Sequence, residues 1–263
     1  MNTVKSQFAS KWRVAFLGLL VISIGLLLAY VVANDGKKKS KIEQPYGEFK
    51  RDLPFVDLSN RAEFGDDELE AFVAFAIANK WEIIELDLSQ SGITDKGISS
   101  AARISDLLAL NIGGTECTSD CLLPFENNQT LETLDASSTK VDSKVGIHIS
   151  KIKSLTKLDL SSTKIGDEAV ELLPANLTGL YLRNTQVSNH SIDFIKKMRN
   201  LAFLDIADTK IRLSDELGLT WIQELPNLAV LCLDRSQISK EMEKLFRDSF
   251  PTVSLRIDVG SLN

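Results

Sequence analysis

Cys117 and Cys121, spaced C-x3-C, come nearest in this 263-residue chain to a metal or redox motif, because thiolates are the soft ligands that hold zinc. No second Cys pair and no helix-spaced histidine completes a four-ligand set, so no metal site is expected, and His148 and His190, far apart in sequence, read as surface residues. Cys117 falls on an apolar position of the repeat described below and reads as core; if the body is exported, a Cys117–Cys121 disulfide stays open. Cys232 is the odd thiol. The other chemistry on offer is a carboxylate pair such as Asp135 and Asp159, which could transfer protons only if an apolar cleft raised one of them. An open, wet sheet face, which is where the pattern puts both, would raise neither. No Walker A or dinucleotide fingerprint occurs, and Gly113-Gly114 is too short to cradle a phosphate. The chain therefore reads as non-enzymatic and without a cofactor.

Charge narrows the partners. Residues 1 to 51 hold nine Lys/Arg against three Asp/Glu, which leaves 21 against 33 in residues 52 to 263, a head of +6 on a body of −12. An acidic body repels phosphate backbones, so nucleic acid is excluded as the natural partner.

What must position these residues is a repeat. The template apolar-x-x-apolar-x-apolar-x-x-Ser/Thr-x-apolar recurs as IIELDLSQSGI from Ile83, LLALNIGGTEC from Leu107, LETLDASSTKV from Leu131 and LTKLDLSSTKI from Leu155. It continues as LTGLYLRNTQV from Leu177, LAFLDIADTKI from Leu201 and LAVLCLDRSQI from Leu228. Apolar residues two apart, such as Leu158 and Leu160, share one face of a short strand, with Lys157, Asp159 and Ser161 on the other. Helix-like spacing follows each strand, as in Ile192, Ile195 and Met198. No single unit can bury its apolar face alone, so stacked copies make one core with the strands side by side in a parallel sheet.

This pattern resembles the leucine-rich repeat family, L-x-x-L-x-L-x-x-N/C-x-L, with Ser91, Thr115, Thr139, Thr163, Thr185, Thr209 and Ser236 at the Asn position. The hydroxyl ladder and the continuation Ile93-Thr94-Asp95-Lys96-Gly97-Ile98 look like the bacterial variant abundant in planctomycete proteins. The resemblance implies an α/β solenoid, curved, with a parallel sheet on the concave face and helices on the convex face. A buried hydroxyl at each ladder position would satisfy backbone groups at the turn leaving the strand.

The organisation expected is a basic tail 1–13, a transmembrane helix Val14 to Ala33, a polar basic linker 34–52, an N-terminal cap 53–82, seven repeats over 83–239 and a C-terminal cap 240–263. Val14 to Ala33 carries no charge over twenty residues, enough to span a bilayer, and is too long for an ordinary signal core. The protein is thus expected in a membrane as a single-pass anchor. Lys5, Lys11 and Arg13 before the span nearly balance Lys37, Lys38, Lys39 and Lys41 after it, with a slight lean to the signal-anchor orientation that exports the body.

The concave column at the fifth template position reads Asp87, Asn111, Asp135, Asp159, Tyr181, Asp205 and Cys232. It would favour basic protein segments, although Leu-Asp-Leu-Ser could equally be plain repeat consensus. Tyr181, Arg183, Phe203, Asp234 and Arg235 cluster toward the C-terminal half, the composition of an interface hot spot. A partner-binding patch is therefore expected from Asp135, Asp159, Tyr181, Arg183, Phe203, Asp205, Asp234 and Arg235. The function expected is a membrane-anchored protein–protein interaction module; the alternative is an envelope structural or carbohydrate-contacting element outside the cytoplasm.

Overall fold

The structure, a computed structural model, describes residues 55–214 and 217–258. The expected tail, spanning helix and linker lie outside the described residues, and no helix among the described residues is long and apolar enough to cross a membrane.

Nine short strands form one parallel sheet in sequence order: β1 Phe55–Asp57, β2 Glu85–Asp87, β3 Ala109–Asn111, β4 Thr133–Asp135, β5 Lys157–Asp159, β6 Gly179–Tyr181, β7 Phe203–Asp205, β8 Val230–Asp234 and β9 Ser254–Asp258. A single register runs through them, so that Leu86, Leu110, Leu134, Leu158, Leu180, Leu204 and Leu231 pair rung by rung, and all seven are fully buried. Both caps join the sheet as further rungs: β1 adds Val56 and Asp57 opposite Leu86 and Asp87, and β9 pairs along the whole of β8.

Between strands the chain crosses the other side of the core as α1 Asp66–Ala78, α2 Asp95–Ala101, α3 Val145–Ile149, α4 Asp167–Leu172, α5 Ile192–Ile195, α6 Leu217–Thr220 and α7 Lys240–Ser249. The connection after β3 is a 3-10 helix, Ser119–Phe125, with Pro124, which has no amide donor, in its last turn. Thr94, Thr118, Ser188 and Ser239 start their helices by accepting a backbone N–H on the side-chain oxygen. The acidic trio Asp66, Asp67 and Glu68 opens α1, and the Glu68 carboxylate takes the N–H of Gly65 at 3.1 Å.

Two devices repeat at the exit of each strand. One residue per unit turns left-handed, namely Asn60, Gln90, Gly114, Ser138, Ser162, Asn184 and Asp208, with φ between 54° and 69°. The hydroxyl that follows donates to the carbonyl three residues back: Ser91 to Leu88, Thr115 to Ile112, Thr139 to Ala136, Thr163 to Leu160, Thr185 to Leu182 and Thr209 to Ile206, all at 2.5–2.7 Å. The ladder is therefore structural, as its position implied, but its seventh member is not Ser236. Ser236 lies exposed in a 3-10 turn, Arg235–Gln237, and the buried Gln237 takes over, its Nε2 donating to the carbonyls of Ile206 and Ile211 and to Thr209 Oγ1 at 2.8–3.1 Å.

A third device clasps unit to unit. The Asp66 carboxylate accepts from Thr94 N, Thr94 Oγ1 and Gly97 N, and that of Asp167 from Ser188 N, Ser188 Oγ and Ser191 Oγ, at 2.5–3.0 Å. The helical segments after Thr94 and Ser188 thus begin on an acid supplied by the unit before them. At Thr94-Asp95 both roles sit side by side: the hydroxyl caps its own helix while the acid anchors the next, at Thr118.

Candidate functional site

The face of the sheet away from the helices, concave in the expected solenoid, carries two columns of side chains in register. One runs Asp57, Asp87, Asn111, Asp135, Asp159, Tyr181, Asp205, Cys232; the other runs Phe55, Glu85, Ala109, Thr133, Lys157, Gly179, Phe203, Val230. In the first column each acid or amide has a local task. One side-chain oxygen of Asp57, Asp87, Asn111, Asp135, Asp159 and Asp205 accepts the N–H two residues ahead, at 2.8–3.0 Å, and so fixes the turn out of the strand. That task accounts for the Leu-Asp-Leu-Ser consensus; the second oxygen of Asp205 accepts from Arg183 Nε.

The column is not the wet face that the sequence suggests. Asp87 and Asp205 are under 5% exposed, and Asp135 and Asp159 are only part-exposed. Burial, reinforced by the Asp135 charge one rung away, pushes the Asp159 carboxyl up to about 7, and burial raises Asp87, Asp135 and Asp205 as well. Like charges stacked at strand spacing, about 4.8 Å, cannot all ionise cheaply. The carboxylate perturbation required for proton transfer is thus present at Asp159, contrary to expectation. Thr133 Oγ1, buried in the neighbouring column, has no hydrogen-bond partner.

Known proteins share this architecture. A family model described as Zer-1-like leucine-rich repeats matches residues 146–241, and a leucine-rich-repeat model matches residues 83–100. Leucine-rich-repeat models thus match two stretches of the repeat region. Toll-like receptor 3 of Boselaphus tragocamelus is 27% identical over 131 residues, 47% of this chain and 14% of that receptor. This chain therefore corresponds to a small part of that relative. Among solved structures, internalin C2 of Listeria monocytogenes is similar at a TM-score of 0.50 and 24% identity, covering 73% of this chain and 77% of that one, a likeness of fold. A second Listeria monocytogenes internalin has a TM-score of 0.49 and 20% identity over 68% of this chain and 47% of its own.

Across the leucine-rich repeats the eight expected patch residues take three kinds of place. Asp135 and Asp159 stand mid-column, part-exposed. Tyr181 and Phe203 stack on one another, ring centroids 4.6 Å apart at 27°, and with Cys232 form a small apolar cluster separate from the main core, each under 9% exposed. One face of each ring is covered by the other. Arg183 is tied down by three carboxylates: Nε donates to Asp205 at 3.1 Å, and Nη1 to Asp258 at 2.6 Å and Asp208 at 3.4 Å. Asp234 caps the 3-10 turn at Ser236, and Arg235 pairs with Glu243 of α7 at 2.8 Å. The C-terminal cluster is therefore largely a clamp holding β9 and α7 to the last repeats.

On the helix side, His148 is not the surface residue expected: its ring is 13% exposed, with Nδ1 2.8 Å from Glu126, which Lys151 also contacts at 2.7 Å. Those two partners, Lys151 first, hold the Glu126 carboxyl below its usual range. His190 is 89% exposed. Cys117 and Cys121 are both free thiols, buried as their core reading requires, but they are joined by a residue that sequence reasoning left out. Asp95 lies one unit upstream, and its carboxylate and the two sulfurs all lie within 4.8 Å of one another. The stacking period of 24 residues between these two units is the signal that would have found it, since it places Asp95 beside Ser119, midway between the two cysteines.

Proposed function

We propose that this chain is a membrane-anchored, non-catalytic interaction module that takes a basic segment of a partner protein onto the concave face of its leucine-rich repeats. The observation that carries this reading is the acidic column Asp87, Asp135 and Asp159 in one register, each carboxylate fixing its turn through one oxygen. Leucine-rich-repeat proteins generally act as protein-binding surfaces, which supports the assignment. Val14 to Ala33 supplies the anchor in this reading, and a positive head followed by a long apolar run, the signal-anchor pattern, supports an exported body. An arriving ammonium or guanidinium would ionise Asp159, so binding should release a proton near neutrality and tighten as pH rises through about 7.

The test uses full-length protein in detergent and a fluorescent Lys/Arg-rich peptide as probe. The pair Asp135→Asn and Asp159→Asn should weaken binding at least several-fold, whereas Glu168→Gln in α4 should leave it unchanged. Equal weakening by both would sink the concave-face assignment. Retention of the protein in the membrane pellet after alkaline extraction, lost on deletion of residues 14–33, checks the anchor. A carbohydrate-contacting role gains no support, because the Tyr181 and Phe203 faces that would stack on a sugar stack on each other.

A further inference from the structure

We propose that Cys117, Cys121 and Asp95 form a binding site for a thiophilic divalent cation of the zinc class, set between the first and second repeats on the helix side of the sheet. The unit-to-unit clasp is incomplete at Asp95. Asp66 and Asp167 each accept three hydrogen bonds, two from a capping Thr or Ser and a third from the residue three positions further on, Gly97 or Ser191. Asp95 accepts the first two, from Thr118 N at 2.7 Å and Thr118 Oγ1 at 2.6 Å. At the third place stands Cys121, a thiol, which is a weak donor. The carboxylate is left one strong partner short at the position where a sulfur faces it.

The second sulfur comes from an independent column. Ile93, Val141, Ile165, Val187 and Ile211 fill the last template position in neighbouring units, all fully buried aliphatics, and Cys117 alone breaks the series. Two departures from the repeat therefore fall in the same unit and converge on the same aspartate. Their donor atoms lie within 4.8 Å of one another, against roughly 3.8 Å between ligands around a tetrahedral zinc with Zn–S bonds of about 2.3 Å. Small side-chain rotations close that gap.

The donor set selects the ion. Two thiolates favour zinc, cadmium or cobalt and disfavour calcium and magnesium, which demand oxygen. Two thiolates and one carboxylate carry three negative charges against two positive, and these side chains leave a fourth coordination position open. Entry of the ion is balanced by departure of one proton from each thiol, so two protons leave per cation bound and affinity rises with pH. The hydrogen bond from Cys117 and burial hold the Cys121 thiol well above the ordinary thiol range, so the cation must supply the stabilisation that makes the pair ionise.

The experiment uses the full chain, purified with a phosphine reductant and stripped by chelator, then titrated with Co²⁺ and back-titrated with Zn²⁺. Cobalt thiolate coordination announces itself by a sulfur-to-metal charge-transfer band and tetrahedral visible bands. Expected are one equivalent per chain, displacement by zinc and two protons released per ion. The variants borrow residues that other units already carry at these positions: Cys117→Val as at Val141, and Cys121→Ala as at Ala169. Each should keep the native circular dichroism and weaken cobalt binding at least ten-fold, while Cys232→Ser changes nothing. Absence of the thiolate band in reduced protein, or a band that survives in folded Cys121→Ala, overturns the proposal.

Discussion

Replacing Asp159 by Asn probes the acidic column most directly. The carboxyl sits at about 7 in the fold, against 3.8 for an unperturbed aspartate, because burial and the Asp135 charge oppose its ionisation. The sign follows from proton counting: between about pH 4 and pH 7 the folded chain holds a proton that the unfolded chain has lost, so stability falls as pH rises through that window. The penalty is below about 1 kcal/mol at pH 4 and complete above pH 7. A shift of about three units at roughly 1.4 kcal/mol each sets its ceiling near 4 kcal/mol, and because Asp135 shares the repulsion we expect about half of that at this one site. Asn cannot ionise, yet its Oδ1 can still accept the Ser161 N–H that Asp159 takes at 2.8 Å. Urea unfolding at pH 4 should then find the variant and the parent alike. At pH 8 the variant should be more stable by about 2 kcal/mol, with an unchanged denaturant slope. A variant that is no more stable than the parent at pH 8 would refute the claim that burial, rather than solvent, governs this column.

The remaining expectations concern the repeat itself. Thr163→Val strands the Leu160 carbonyl that the hydroxyl serves at 2.6 Å and should cost about 1–3 kcal/mol, whereas Thr133→Val removes a buried hydroxyl that has no partner and should be neutral or stabilising in the same denaturation assay. Leu158→Ala, deleting a fully buried rung, should cost about 2–4 kcal/mol, read as a lower urea midpoint. Ser138→Gly relieves a left-handed turn residue at φ 55° and should raise the melting temperature, for a gain of up to about 1 kcal/mol.

Period and alternation made the sheet legible in the sequence, since Leu158 and Leu160 must share a face and seven copies must stack. The hydroxyl ladder was legible for the same reason, up to the unit where Gln237 replaces Ser236; one residue's shift in a turn leaves no mark on hydrophobic spacing. The binding patch was legible only as a set of faces. That Arg183 would find Asp258, 75 residues on, depends on β9 docking beside β8, a contact the repeat template does not contain. Burial of Tyr181 and Phe203 was invisible because composition marks the same residues as hot spot and as core. Asp95 could have been paired with the cysteines by counting one repeat back, but a search for local ligand motifs looks along the chain and not across the stack.

Leu134 to Leu158, Leu158 to Leu180 and Leu204 to Leu231 are successive rungs separated by 24, 22 and 27 residues, yet each pair meets in the same register. The sheet therefore works as a ruler whose divisions stay fixed while the cord behind them is let out or taken in. Segments joined to the helix side, between Leu172 and Leu177 for instance, can lengthen without displacing any side chain on the opposite face. A tag or reporter inserted there would leave the acidic column where it stands, and the two surfaces of this protein are free to change independently.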